Sequence, residues 1–146
     1  MNLENEIKQD KLQAMRNKDT LKKNVLTLIA SRIQNKKIEK KVNALSHEEE
    51  VQEVSSELKQ ARDALEGAEK SGRQDLIDKE KAKIAIIEYY LPKQLTEEEI
   101  TAEVQELVTE GMSVKQAMGV VMPKMRGRAD MKVVSEIVRA VAQGGK

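Results

Sequence analysis

Apolar residues recur at helical spacing along the first 92 positions of the chain. The first apolar segment stops near Asn17, and Asp19 can accept hydrogen bonds from the free amides that begin a second helix. The second segment has the stronger apolar stripe, which gives way to a polar stretch from Asn35 to Asn43. The spacing therefore predicts two amphipathic helices. The stripe of the second helix consists of Leu21, Val25, Leu28, Ile29 and Ile33.

A capping box opens the next helix. Ser46 and Glu49 can each satisfy a backbone amide that is left unpaired at a helix start. The apolar face then stays in phase until Gly72, which can adopt the left-handed conformation that ends helices. A fourth helix closes at Pro92, because the proline ring disfavours helical geometry in the residue before it. These features predict an N-terminal helical domain of about four helices over residues 1–92.

Residues 93–146 repeat this pattern on a smaller scale. Thr96 begins a second capping box, and its helix is expected to stop at Gly111. Ser113 opens another helix, in which we expect a kink at Pro123, and a third helix completes the segment. The predicted fold class is therefore all-α, a helical N-terminal bundle followed by a small three-helix C-terminal tail domain.

Composition supports helices and excludes several classes of site. Aromatic residues make up 1% of the chain and Trp and Phe are absent, so the core must be built from aliphatic side chains and Met, which points away from sheets. Cysteine is also absent, which removes disulfides and thiolate metal sites and is unremarkable in a reducing cytoplasm. The acidic N-terminus does not resemble a secretory signal, and no apolar run reaches the length of a membrane span. We expect a cytoplasmic protein with no membrane partner.

The charges are balanced in number but not in position. The chain has 26 basic and 25 acidic residues. Residues 8–41 include eleven basic and three acidic residues. Residues 48–110 include eight basic and eighteen acidic residues, and residues 111–146 include seven basic and two acidic residues. Because a polyanion responds to local charge, the balanced total hides two basic regions. The first basic region contains a group of four lysines: Lys36, Lys37, Lys40 and Lys41. We interpret these lysines as solubilising residues, or as residues that pair with the acidic middle of the chain, residues 48–110.

In the second region, basic residues crowd around the break between the last two helices. Gly127 is expected to end one helix and Asp130 to cap the next. Free amides, the helix dipole and arginine side chains would all favour an anion at this point. A solubilising surface is the alternative interpretation. The predicted nucleic-acid-binding residues are Lys124, Arg126, Gly127, Arg128, Asp130 and Lys132.

The sequence offers little for catalysis. His47 is the only histidine, so a histidine metal site or a Ser-His relay lacks its second member. No glycine-rich phosphate loop is present, and the acidic triplets lie in first helical turns, where they complement the helix dipole. We predict no catalytic residue, no metal and no cofactor. Tyr89 and Tyr90, the only aromatic residues, should point about 100° apart, one toward the interior and one more exposed.

Two stretches carry a family resemblance. Residues 88–95, EYYLPKQL, and residues 122–130, MPKMRGRAD, resemble the signature segments of the YqeY-like proteins, and residues 57–64 and 72–76 resemble the middle of that family. The domain is also similar to the C-terminal end of the B subunit of bacterial tRNA-dependent amidotransferase. The resemblance implies a helical cradle and a three-helix tail that reaches toward tRNA. Glutamine-dependent carbon-nitrogen ligase activity is implied only by association, because nothing here resembles the catalytic parts of that enzyme.

Three functional hypotheses follow. The first is a noncatalytic tRNA-associated accessory protein that uses the basic residues of the tail. The second is a protein-protein adaptor that docks a partner enzyme through the apolar hinge at Tyr90, Leu91 and Pro92 or through the acidic middle helices. The third is an enzyme linked to the amidotransferase reaction.

Overall fold

The structure, a computed structural model, describes residues 2–144, and these form seven α-helices with no strand. The all-α prediction is confirmed. In chain order the helices are α1 (Leu3–Arg16), α2 (Thr20–Lys40), α3 (His47–Ser71), α4 (Gln74–Glu88), α5 (Glu97–Leu107), α6 (Val114–Met125) and α7 (Met131–Gly144).

Local sequence accounts for most helix boundaries. Both predicted capping boxes are present, at Ser46 and at Thr96. Asp19 begins α2 by accepting a hydrogen bond from the Lys22 amide at 3.1 Å. Gly72 ends α3 with a φ of 70°, a left-handed conformation that a glycine adopts without a Cβ penalty. The starts of these helices were therefore predictable from neighbouring residues, whereas α4 ends at Glu88, before the predicted stop at Pro92, and α5 ends at Leu107, before the predicted stop at Gly111.

The chain divides into two compact units, residues 1–91 and 92–146. In the first unit, α1 packs along α2 and α3 packs along α4, while α2 contacts both α3 and α4. The core of this unit is aliphatic apart from one tyrosine, Tyr90, which is only 6% exposed. Its completely buried side chains are Ile7, Leu26, Ile29, Ile33, Val54 and Ile87.

Buried carboxylates also hold the first unit together. Glu4, at the start of α1, accepts two hydrogen bonds from the Lys37 ammonium group, at 3.0 and 2.8 Å. The Glu4 amide in turn donates to the Glu50 carboxylate at 2.9 Å. Arg32 contacts Glu57 at 2.6 Å. Removal of one member of a buried ion pair leaves an uncompensated charge, so these contacts strongly constrain how the helices pack.

The second unit contains α5, α6 and α7, with α7 packed against both other helices. Aliphatic residues from all three helices form its core, together with Met125, which is fully buried. The Glu99 carboxylate closes the capping box of α5, and a hydrogen bond from the Thr96 backbone, followed by attraction to Lys93, lowers the pKa of Glu99. In the part of the chain that the structure describes, no helix is long and apolar enough to cross a membrane.

Candidate nucleic-acid interface

The candidate site is the turn that joins α6 to α7. The helix α6 continues through Pro123 and ends at Met125, because Arg126 leaves helical geometry with a ψ of 127°. Gly127 follows with a φ of 81° and is buried, and its left-handed conformation favours a glycine. Asp130 then begins α7, and its carboxylate accepts a hydrogen bond from the Lys132 amide at 2.9 Å. The structure thus agrees with the predicted break at Gly127 and the predicted cap at Asp130.

Hydrogen bonds from the start of the second unit hold this turn in place. The Leu95 amide donates to the Arg128 carbonyl at 2.9 Å. The Gln94 side-chain amide donates to the Gly127 carbonyl and to the Pro92 carbonyl, both at 2.9 Å. Because two successive carbonyls of the turn are bound, its backbone is fixed before any ligand arrives, which lowers the entropy lost on binding.

Arg128 has a partner that the sequence did not indicate. Its guanidinium group forms a two-point contact with the Glu103 carboxylate of α5, at 2.7 and 3.2 Å. The same group donates to the Lys124 carbonyl at 3.0 Å. An arginine held by a carboxylate in this fork geometry has most of its charge compensated. Arg128 therefore links α5 to the turn, and its pairing with Glu103 competes with any phosphate contact that it could make.

The other three cations of the turn differ from Arg128. Lys124, Arg126 and Lys132 are all exposed. Within residues 2–144, none of these three side chains forms an ion pair with a carboxylate. Asp130, in contrast, directs its carboxylate at the amide that an anion at the start of α7 would use. The six predicted residues thus divide into three accessible cations and three residues that shape the turn.

The lysines at the end of α2 behave differently. Lys36 lies 3.8 Å from Glu39, Lys37 lies 2.8 Å from Glu4, and Lys40 pairs with Glu49. Lys40 thus pairs with the acidic middle of the chain, as the sequence predicted for this group, whereas Lys36 and Lys37 pair with carboxylates outside it, on α2 and α1. Lys41 ends α2 in a left-handed conformation and is exposed.

The two tyrosines occupy the two environments that helical spacing predicted. Tyr90 is 6% exposed, whereas Tyr89 is 73% exposed. The Tyr90 hydroxyl donates to the Asp10 carboxylate at 2.6 Å, a contact across 80 positions of sequence. Burial, the hydrogen bond to Asp10 and the negative charges of Asp10 and Glu6 raise the pKa of Tyr90 far above its ordinary value. The apolar hinge proposed for an adaptor is therefore largely part of the core of the first unit.

Similarity to known proteins supports the family resemblance. The model of the Yqey-like protein family matches residues 4–141. Curated relatives are called "Altered inheritance of mitochondria protein 41, mitochondrial". The protein from Lachancea thermotolerans is 34% identical over 106 residues, which cover 71% of this chain and 57% of the relative. The protein from Eremothecium gossypii is 33% identical over 85 residues, which cover 58% of this chain and 46% of the relative. The chain thus spans about half the length of the curated relatives that it matches.

Proposed function

The chain belongs to the Yqey-like protein family, and we propose that it is a noncatalytic accessory protein that binds the phosphate backbone of tRNA through the turn between α6 and α7. Three residues of this turn make the phosphate contacts: Lys124, Arg126 and Lys132. Arg128, Gly127 and Asp130 give the turn its shape.

The observation that carries this proposal is the presence of three exposed cations without carboxylate partners on a turn whose backbone is already fixed. Contacts between basic side chains and phosphates supply most of the sequence-independent affinity of proteins for nucleic acids. The similarity to the tail of the tRNA-dependent amidotransferase B subunit suggests tRNA as the nucleic acid. The carbon-nitrogen ligase activity of that enzyme is not part of the proposal.

A titration of labelled tRNA at several salt concentrations tests the proposal. A triple variant, Lys124→Ala, Arg126→Ala and Lys132→Ala, should bind at least tenfold more weakly than the native chain at low salt. Each lost phosphate contact should also reduce the slope of log K against log salt by about 0.7–0.9. A triple variant with the slope and affinity of the native chain would eliminate the proposal.

A matched control removes three exposed lysines elsewhere: Lys79→Ala, Lys81→Ala and Lys115→Ala. This variant loses the same formal charge, so it measures the effect of total charge on tRNA binding. The proposal requires the control variant to keep nearly all of the native affinity and slope.

The proposed tRNA binding could take place in either of two compartments, the cytoplasm or the mitochondrion. The sequence predicts a cytoplasmic protein, whereas the names of its relatives place those proteins in mitochondria. We propose that the chain meets tRNA in the cytoplasm. Cell fractionation of a tagged native protein tests this, and recovery in the mitochondrial matrix would move the same binding function to that compartment.

The adaptor hypothesis uses either the hinge or the acidic middle helices. At the hinge, Tyr90 is buried and Leu91 is partly buried against the core of the first unit, so these two residues offer a partner little apolar surface. The acidic middle helices are the better-supported surface for such a partner. Capture of a polypeptide that survives nuclease and high salt, together with unchanged tRNA affinity in the triple variant, would favour this function instead.

A further inference from the structure

A second group of cations, each exposed or half-buried, lies around the turn between α1 and α2, from the second half of α1 to the first turn of α2. Its members are Lys11, Arg16, Lys18, Lys22 and Lys23. In the described residues 2–144, none of these five side chains forms an ion pair with a carboxylate. The two acidic residues of this stretch are engaged, Asp10 by the Tyr90 hydroxyl and Asp19 by the Lys22 amide. Both carboxylates stay charged, but neither pairs with one of the five cations, so the turn has a net positive charge; at the other end of α2, three of the lysines are paired.

An open cleft of about 400 Å³ brings one of these cations beside the exposed tyrosine. Lys22 from α2 and Asp10 from α1 line one part of the cleft, and α4 and the residues after it supply an apolar and aromatic part. These latter residues are Ala85, Ile86, Tyr89 and Tyr90. A smaller hollow of about 270 Å³ at the same turn is lined by Lys18 and Lys23, among other residues. Both hollows lie within the first unit.

The ring of Tyr89 packs against another ring, although Tyr89 is 73% exposed. Its centroid lies 5.0 Å from that of Tyr90, and the two rings meet edge to face at 83°. Tyr90 is itself fixed by burial and by its 2.6 Å hydrogen bond to Asp10. A rigidly held aromatic ring gives a planar ligand a stacking partner at a small loss of entropy.

An exposed aromatic ring beside unpaired cations is the combination that single-stranded nucleic acids use, with bases stacked on rings and phosphates on basic side chains. An acidic protein would be attracted by the same cations but would have no use for the ring. The Asp10 carboxylate can accept a hydrogen bond from the amino group of a base, a donor that an ionised acidic side chain does not have. These features together favour a nucleic acid as the ligand.

We propose that the cleft at the α1–α2 turn binds an unpaired nucleotide of single-stranded RNA, with the base on Tyr89, the adjoining phosphate at Lys22, and neighbouring phosphates at the remaining cations of the turn. This site is independent of the turn between α6 and α7. Its success or failure therefore leaves the proposed tRNA contact of the second unit untouched.

Binding of a labelled hexa-adenylate RNA by the full chain tests the site, with an abasic hexamer of the same phosphate number as the comparison ligand. The native chain should prefer the base-bearing RNA by about tenfold, since stacking on one aromatic ring strengthens binding roughly 5-fold to 150-fold. Tyr89→Ala should remove this preference, and Tyr89→Phe, which keeps the ring, should retain it. Equal affinity for the two hexamers, or an unchanged preference in Tyr89→Ala, would overturn the proposal.

Intrinsic fluorescence gives a second readout, because the chain has two tyrosines and no tryptophan. Hexa-adenylate should quench the emission of the native chain, and the abasic hexamer should not. The Lys124, Arg126, Lys132 triple variant should retain this quenching, whereas Lys22→Ala should shift it to severalfold higher RNA concentration. Polyglutamate that displaced the RNA as well as an RNA competitor of equal charge would identify an acidic-protein site and contradict the nucleotide proposal.

Discussion

At the end of α2, lysines face carboxylates from three parts of the first unit, whereas at the turn between α6 and α7 three cations extend from the surface without such partners. Both regions are rich in basic residues as sequence. They differ because the end of α2 meets acidic first turns, represented by Glu4 of α1 and Glu49 of α3. The α6–α7 turn has Glu103 as its ion-pair acceptor, and Arg128 occupies it. Local charge counts therefore overestimate how many cations are available to a ligand.

The largest expected effect concerns Lys37, whose side chain is 14% exposed in its pair with Glu4. Lys37→Met keeps the apolar stem but leaves the buried Glu4 carboxylate without its main cation. We expect the free energy of unfolding to fall by about 3 kcal/mol, the lower end of the range for a broken buried pair. Urea denaturation measures this change. The control Lys124→Met should stay within about 0.5 kcal/mol of the native chain, and equal effects at both sites would refute the contrast.

The next effect concerns the backbone of the α6–α7 turn. Gly127 has a φ of 81°, and Gly127→Ala should reduce the stability of the second unit by about 1–2 kcal/mol because L-residues are strained in that conformation. The shifted turn should also weaken tRNA binding. Thermal unfolding and the tRNA titration measure the two effects. The exposed helical Gly119, changed to Ala, is the control and should raise stability slightly. A fully stable Gly127→Ala chain would show that the turn is not conformationally restricted.

Alkaline pH should distinguish the two tyrosines. Because the folded state raises the pKa of Tyr90, its stabilising contribution is present below the unfolded pKa of about 10 and is lost as pH rises above that value. Tyr90→Phe should lower stability at pH 7 by about 1 kcal/mol through loss of the bond to Asp10. It should also flatten the decline of stability above pH 10. Tyr89→Phe should leave the pH profile of urea unfolding unchanged, and a flattened profile in that variant would contradict this assignment.

The smallest effect should come from releasing Arg128. Glu103→Gln removes the negative charge that compensates the guanidinium group, and the loss of a pair this exposed should change stability by less than about 1 kcal/mol. The freed Arg128 can then act as a fourth phosphate contact. We expect tRNA binding to tighten and the salt slope to steepen by up to about 0.7–0.9. A slope equal to that of the native chain would mean that Arg128 does not reach the RNA even when released.

Features set by neighbouring residues could be predicted from the sequence, and features set by distant contacts could not. The capping box at Ser46 depends on residues three positions apart. The opposite environments of Tyr89 and Tyr90 match those expected of neighbours on a helix, although both residues lie just after the end of α4. The bond from Tyr90 to Asp10 joins residues 80 positions apart. The pair between Arg128 and Glu103 spans 25 positions. No local pattern marks such partners, so the sequence located the basic turn but not which of its cations is already bound.

The same limit applies at the start of the chain. The excess of basic residues between positions 8 and 41 was visible in the sequence. Its division into paired lysines at the end of α2 and unpaired cations at the α1–α2 turn depends on how the first unit packs. Lys22 and Tyr89 line the same cleft because α4 packs against α2 and because Tyr90, after α4, contacts α1. The periodicity of the sequence does not specify this packing.

A direct comparison of the two basic regions in tRNA binding tests the central claim. Two double variants are titrated with the same tRNA over a range of salt concentrations: Lys124→Gln and Arg126→Gln in one, and Lys36→Gln and Lys40→Gln in the other. Each variant loses two positive charges. The account predicts that the first lowers the slope of log K against log salt by about 1.4–1.8 and that the second leaves it nearly unchanged. Equal losses in both, or a larger loss in the second, would contradict it.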